Sequence, residues 1–313
     1  MDEITTLHIN KCRAYIDFML SQQQWSGLTK YEVERWLGNF RNLQPSEMLL
    51  VYKLLTGIIY FSEKDVLEAL KEGVYKCICY EHVLEKQKSM GFGLSQHALS
   101  NIFREEIQKT CFIPLLDSDS PHESGNYVSR ILVQKGIIPP SHSMFLNKLP
   151  DAFQSKTFNK LVIVDDCVGS GDQLRGFWED AIVSTGFKNV YLKDLCNTYN
   201  IEVSYLTLFG YDRSISELKK DLVGLNICCV RKLSEIQRVF SDNSYIWKNT
   251  AERDEALSLF SSLTKENGIL LYGYKDLDFA FIMHETIPDW SLPLFWKENA
   301  DWKLLMRRKN SNA

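Results

Sequence analysis

The chain has 313 residues, 45 % of them hydrophobic, enough for one large domain or two modest ones with a sizeable core. A net charge of −4 and a pI of about 5.9 leave no electrostatic footprint for bulk nucleic-acid binding, no run of about 18 apolar residues is free of charge, and the acidic start Met1-Asp2-Glu3 lacks an apolar signal region. The cysteines at 12, 77, 79, 111, 167, 196, 228 and 229 show no Cys-x2-Cys spacing, which fits buried thiols in a reducing cytoplasm rather than a disulfide framework or a zinc site.

Residues 1–110 read as a helical domain. Ile9, Cys12, Ile16, Met19 and Leu20 recur at helical spacing, and Ser26-Gly27 interrupts them. Val33, Trp36, Leu37 and Phe40 mark a second helix. Pro45-Ser46 predicts the start of a third, with Ser46 as N-cap and Leu49, Tyr52, Leu55 and Ile59 on its core face. Ser62-Glu63-Lys64-Asp65 is a capping box with Asp in place of Glu, and a further helix is expected from about Ser95 to Lys109. The region holds 13 Lys and Arg against 14 Asp and Glu, a balance that does not favour DNA, although a partner or nucleic-acid surface needs only a few basic residues.

An α/β region is expected over 111–313. Cys111–Leu116 reads as a strand whose Pro114 predicts an edge, a bulge or an end. The polar stretch 117–125 follows, then a helix with Val128, Ile131 and Leu132. Residues 136–160, with Pro139-Pro140, His142, Lys148 and Lys156, form a connector. Further on, Leu192 and Leu195 predict a short helix that begins near Val190. Glu202–Phe209 and Leu225–Val230 predict strands, separated by a helix over Ser214–Leu222. Strands alternating with helices argue for a parallel, doubly wound sheet.

The most informative stretch is Leu161-Val162-Ile163-Val164-Asp165-Asp166-Cys167-Val168-Gly169-Ser170-Gly171-Asp172-Gln173. Four apolar residues without alternation suit a central strand buried on both faces. Gly169, Ser170 and Gly171 predict a turn, and Leu174, Phe177, Trp178, Ala181 and Ile182 a helix after it. Small residues let backbone N–H groups approach an anion, and the helix adds its positive end. Asp165 and Asp166 fall at the carboxyl end of the strand, where open α/β sheets bind ligands. Carboxylates accept hydrogen bonds from sugar hydroxyls and the turn suits a phosphate, so a phosphorylated sugar fits both halves.

This stretch resembles the PRPP-binding signature of type I phosphoribosyltransferases. The resemblance implies that Asp165 and Asp166 hold the ribose hydroxyls and act as the catalytic pair. It implies a 5′-phosphate cradle of Val168, Gly169, Ser170, Gly171, Asp172 and Gln173, and Mg2+ bound through the PRPP diphosphate rather than by protein ligands. Gly169 stands where that family more often carries Ser, Thr or Ala, and Gln173 where it usually carries Ser or Thr. Ser124 and Gly125 fall where the family has its pyrophosphate loop, although Glu123 beside them has the wrong charge for a diphosphate. The segment 136–160 falls where it has a mobile hood. Asp-x-Cys-Val-Gly-Ser-Gly also resembles the cofactor loop of adenosylmethionine-dependent DNA methyltransferases. Those enzymes need an (Asn/Asp)-Pro-Pro-(Tyr/Phe) motif, and Ile138-Pro139-Pro140-Ser141 does not supply it. The missing Gly-Lys-(Ser/Thr) argues against a P-loop.

The C-terminal segment predicts a strand over Phe279–Met283 that delivers His284, Glu285 and Thr286 to a loop rich in proline and tryptophan. Gly273-Tyr274-Lys275, Thr286-Ile287-Pro288-Asp289 and Leu292-Pro293-Leu294-Phe295-Trp296 are similar to motifs of prokaryotic phosphoribosyltransferase-like proteins found with immunity genes. That similarity implies a defence role, as the effector partner of a retron-type reverse transcriptase. Tyr274, Trp290 and Trp296 are candidates to stack a nucleobase and His284 to donate a proton; the same aromatics also suit plain packing of the C-terminus. The combined expectation is an α/β fold of the phosphoribosyltransferase type, with an N-terminal all-helical domain and a C-terminal aromatic-rich hood. Its function is ribosyl transfer or cleavage at the ribose C1. The alternative is a non-catalytic nucleotide sensor or scaffold that binds a protein or nucleic-acid partner, and oligomers are compatible with either.

Overall fold

The run Leu161–Val164 becomes the second strand of a four-stranded sheet. A computed structural model describes residues 3–116, 124–186, 188–284 and 286–308. Among these, the strands in chain order are β1 (Ile59–Phe61), β2 (Thr110–Pro114), β3 (Lys160–Val168), β4 (Ile182–Ser184), β5 (Asn189–Tyr191), β6 (Glu202–Tyr211), β7 (Leu225–Leu233) and β8 (Phe281–Met283). The main sheet has the order β2-β3-β6-β7, so it advances across the sheet without reversing. Its pairing is parallel, with Leu161 opposite Cys111 on one side and Val203 on the other. The chain returns from β6 to β7 through the helix Asp212–Asp221, the kind of crossover that parallel neighbours require.

Both faces of this sheet are covered, which explains why its strands lack alternation. On one face, Leu161, Ile163, Val203 and Ile227 pack against Phe153, Leu174, Leu195 and Leu218 from four helices. On the other face, Val162, Val164, Leu206 and Leu208 are equally buried. The helix predicted from Leu174 onward spans Asp172–Asp180. Ile182 instead enters β4, which pairs antiparallel with β5, and Val190 lies in β5 rather than in the helix Leu192–Tyr199. β-Branched residues at a hairpin account for both shifts.

The chain divides into two units, residues 67–232 and residues 1–66 together with 233–313. The boundary expected near residue 110 falls inside the first of these. The second unit begins with the helices Glu3–Ser21, Lys30–Leu37 and Pro45–Thr56. Thr29 and Glu32 form a capping box, and Gln44 with Glu47 caps the third helix, so Ser46 lies inside it. That helix stops at Thr56. Ile59, predicted on its core face, lies in β1, which pairs parallel with β8; this stretch is therefore not all-helical. The aromatic core of the unit is fixed by polar handles as well as by packing. Trp36 stacks on Phe295 at 5.4 Å and Phe40 meets Trp302 edge-on at 5.3 Å. The indole N–H groups of Trp36 and Trp302 both donate to the Leu294 carbonyl, at 2.8 and 3.0 Å.

Candidate functional site

β2 is an edge strand and ends at Pro114, opposite Val164. A proline cannot donate into a ladder, so the edge and the end coincide there. β3 runs four residues further, paired on that stretch with β6 alone: Asp165 opposite Thr207, Cys167 opposite Phe209 and Val168 opposite Gly210. The two carboxyls therefore emerge where the sheet narrows.

Asp165 is held by donors from three elements. Its Oδ1 accepts from the Ser124 hydroxyl at 2.9 Å and from the Asp166 N–H at 2.9 Å, and its Oδ2 accepts from the Tyr205 hydroxyl at 3.0 Å. Asp166 Oδ1 accepts from the Cys167 N–H at 2.6 Å. Both residues are buried, and among the described residues neither forms an ion pair. Burial, and next the charge of Asp166, push the Asp165 carboxyl up to about 8 against the pull of its three donors. Burial also raises Asp166. Two adjacent acids without a cation do not both ionise easily, and sites that hold a proton near neutral pH are often functional ones.

The loop after the pair is tight. Val168, Gly169 and Gly171 are buried, while Ser170, Asp172 and Gln173 are half-buried. Gly171 has φ +84°, a left-handed conformation, and caps the helix Asp172–Asp180. A side-chain carbon there would lie 2.8 Å from Leu218 Cδ1, so both backbone and packing select glycine. The Asp172 N–H donates to Ser170 Oγ at 3.3 Å. Arg175 braces the turn: its guanidinium donates to the Ser170 carbonyl at 3.1 Å and to Asp221 Oδ2 at 3.0 Å.

Upstream, the helix Ser124–Gln134 starts against the end of β2. A side-chain carbon on Gly125 would stand 2.4 Å from the Leu115 carbonyl oxygen, so Gly125 allows helix and strand to touch. Ser124, the first residue of this helix, supplies the hydroxyl on Asp165. The acidic stretch that ends at Glu123 lies outside the described residues, as does Glu285.

The structure thus places Asp165, Asp166, Ser124, Gly125 and the loop 168–173 in one unit. Tyr274, His284 and Trp290 belong to the other. Trp290 is buried, stacked on Phe281 at 4.8 Å and edge-on to Phe279 at 5.5 Å. Its ring is a core element there, the packing role that the sequence left open beside base stacking. His284 is half-buried, with Nδ1 3.0 Å from Ser26 Oγ, and Tyr274 is exposed. Among the described residues no three His, Cys, Asp or Glu come together to hold a metal ion, and no helix is long and apolar enough to cross a membrane. Sequence reasoning missed Tyr205 and Arg175. Tyr205 stands as the polar-tipped residue of a buried strand, and Arg175 as the basic residue four positions after Gly171; neither signal names a partner.

A parallel α/β sheet whose buried strand delivers two adjacent carboxyls into a glycine-capped turn is the arrangement expected of a phosphoribosyltransferase-type protein. A family model described as PRTase-CE matches residues 33–308, and the chain belongs to that family. No curated protein and no solved structure matches it.

Proposed function

We propose that the chain binds a ribose 5-phosphate donor of the PRPP class at Asp165, Asp166 and the loop Val168–Gln173, and breaks the bond at the ribose C1. One observation carries this reading: the buried acid pair on β3 runs within five residues into a turn held left-handed at Gly171. Carboxyls would meet the ribose hydroxyls, and the N–H groups of the turn would meet the phosphate. Positive charge that develops on the ribose ring would favour the ionised form of a carboxyl close by. A magnesium ion would arrive with the diphosphate and would neutralise it as it leaves. Acceptor, hydrolytic or reverse chemistry would follow from what occupies the far side of C1. A defence role, in which the chain consumes or modifies a nucleotide as an effector, belongs to the same proposal and rests on the motif similarity.

The second reading is a nucleotide sensor. It is favoured by the hydrogen bonding of Asp165, whose two oxygens already accept from protein donors. It predicts binding without chemical change to the ligand.

Calorimetry with PRPP, with and without magnesium, separates these. The expected result is magnesium-dependent binding that falls at least about 100-fold in Asp165→Asn/Asp166→Asn, the loss of two charge-assisted hydrogen bonds. Phosphorus NMR of the bound ligand then distinguishes enzyme from sensor. Binding of adenosylmethionine in place of PRPP would overturn both.

A further inference from the structure

We propose that Tyr205 and Ser124 are positioning residues: their hydroxyls clamp the Asp165 carboxyl from two sides and fix how the acid pair faces a ligand. What the pair then does rests on the ribosyl-phosphate reading; the clamp itself does not.

Tyr205 sits on β6 opposite Ile163, two positions before the Asp165–Thr207 pair and on the same face. It is fully buried within Val203–Phe209, a run where packing alone would be satisfied by Phe. A phenol in such a place is unfavourable unless bonded, and its bond goes to Asp165 Oδ2 at 3.0 Å. Ser124 approaches Oδ1 from the start of a different helix, at 2.9 Å. With the Asp166 N–H, three donors from three elements converge on one carboxyl and leave it a single orientation. The groups that act on Asp165 are Asp166, Ser124 and Tyr205; Thr207 stands opposite it on β6, and Thr207 and Cys167 in turn meet Tyr205. No cation among the described residues joins them. All three donors favour the ionised acid, while burial and Asp166 oppose it, so removal of one hydroxyl should move its titration upward.

The test is carbon NMR titration of the full chain labelled at aspartate carboxyls, with Asp165→Asn to assign the signal. Tyr205→Phe and Ser124→Ala should each raise the Asp165 midpoint by about one pH unit or more, as expected for one hydrogen bond to a charged group. Ser124→Thr, which keeps the hydroxyl, should restore the wild-type midpoint. An unmoved midpoint in both Tyr205→Phe and Ser124→Ala would overturn the clamp. Should Tyr205→Phe fail to fold, the half-buried Ser124 pair decides alone. A moved midpoint in a chain that binds no PRPP would leave the clamp standing and remove the ribosyl reading.

Discussion

Two buried aspartates, one in each unit, show opposite ways of placing a carboxyl inside a protein. Asp278, in the unit that holds β8, is 1 % exposed. The Arg238 guanidinium bonds to it directly and the Phe240 N–H donates to it at 2.6 Å. Arg238 also donates to the Asp276 carbonyl at 3.1 Å, so the ion pair ties the segments 238–240 and 276–278 together. Asp165 is 2 % exposed and receives only neutral donors, with a second acid as its nearest charge. The first arrangement is complete within the chain and serves architecture. The second leaves two adjacent buried acids at the end of a sheet with no cation beside them among the described residues, which is costly unless something else uses them. On the proposed reading, the ligand meets this second arrangement.

The comparison breaks most sharply under substitution. Asp278→Ala strands a partly buried guanidinium and a buried N–H, and should cost about 3–5 kcal/mol in urea unfolding. Asp165→Asn keeps the shape and the hydrogen-bonding capacity of a protonated carboxyl, and should change stability by less than about 1 kcal/mol at pH 6. Equal losses in the two variants would mean that Asp165 is an architectural residue too.

A gentler test uses pH. The folded Asp165 titrates near 8, above its unfolded value. The native state then binds the extra proton between those two values. Its contribution to stability is fully present below about pH 4 and is lost as pH rises toward 8, with a slope of at most about 1.4 kcal/mol per pH unit. Thermal melts of the wild type should therefore decline from pH 5 to pH 8, and those of Asp165→Asn should decline less. A wild-type profile that rises over this window would show that the acid pair is ionised in the folded chain.

The sequence made one region far more legible than the other. Leu161–Gln173 could be read as strand, acids, turn and helix because each part is local: a β-branched run, two charges, two flanking glycines and a 3.6-residue period. Pro114 announced an edge and an end for the same reason. The clamp could not be read, because Ser124 and Tyr205 meet Asp165 only through β6 and a separate helix, 41 and 40 residues away in sequence. In the other unit, Trp290 offered a stacking surface by residue type alone. Its neighbours Phe279 and Phe281 were visible in the sequence, but their packing around it required the fold of the loop. The pairing of β1 with β8 was hidden for the same reason, since three residues carry no period.

The smallest expected effects concern how each region turns its chain. The acid site reaches left-handed backbone with a glycine, Gly171 at φ +84°. One turn of the unit with β8 does so without glycine, with Lys275 at φ 57° and Asp276 at φ 55°. Gly171→Ala forces an L residue into that conformation against Leu218 and should cost about 1–2 kcal/mol; if the turn holds a phosphate as proposed, PRPP binding by calorimetry should weaken as well. Lys275→Gly relieves about 1 kcal/mol of the same strain, yet glycine loses a similar amount of freedom on folding, so urea unfolding should move by less than about 0.5 kcal/mol. If Lys275→Gly instead raised stability as much as Gly171→Ala lowered it, the Lys275 turn would be under strain that its own unit does not require.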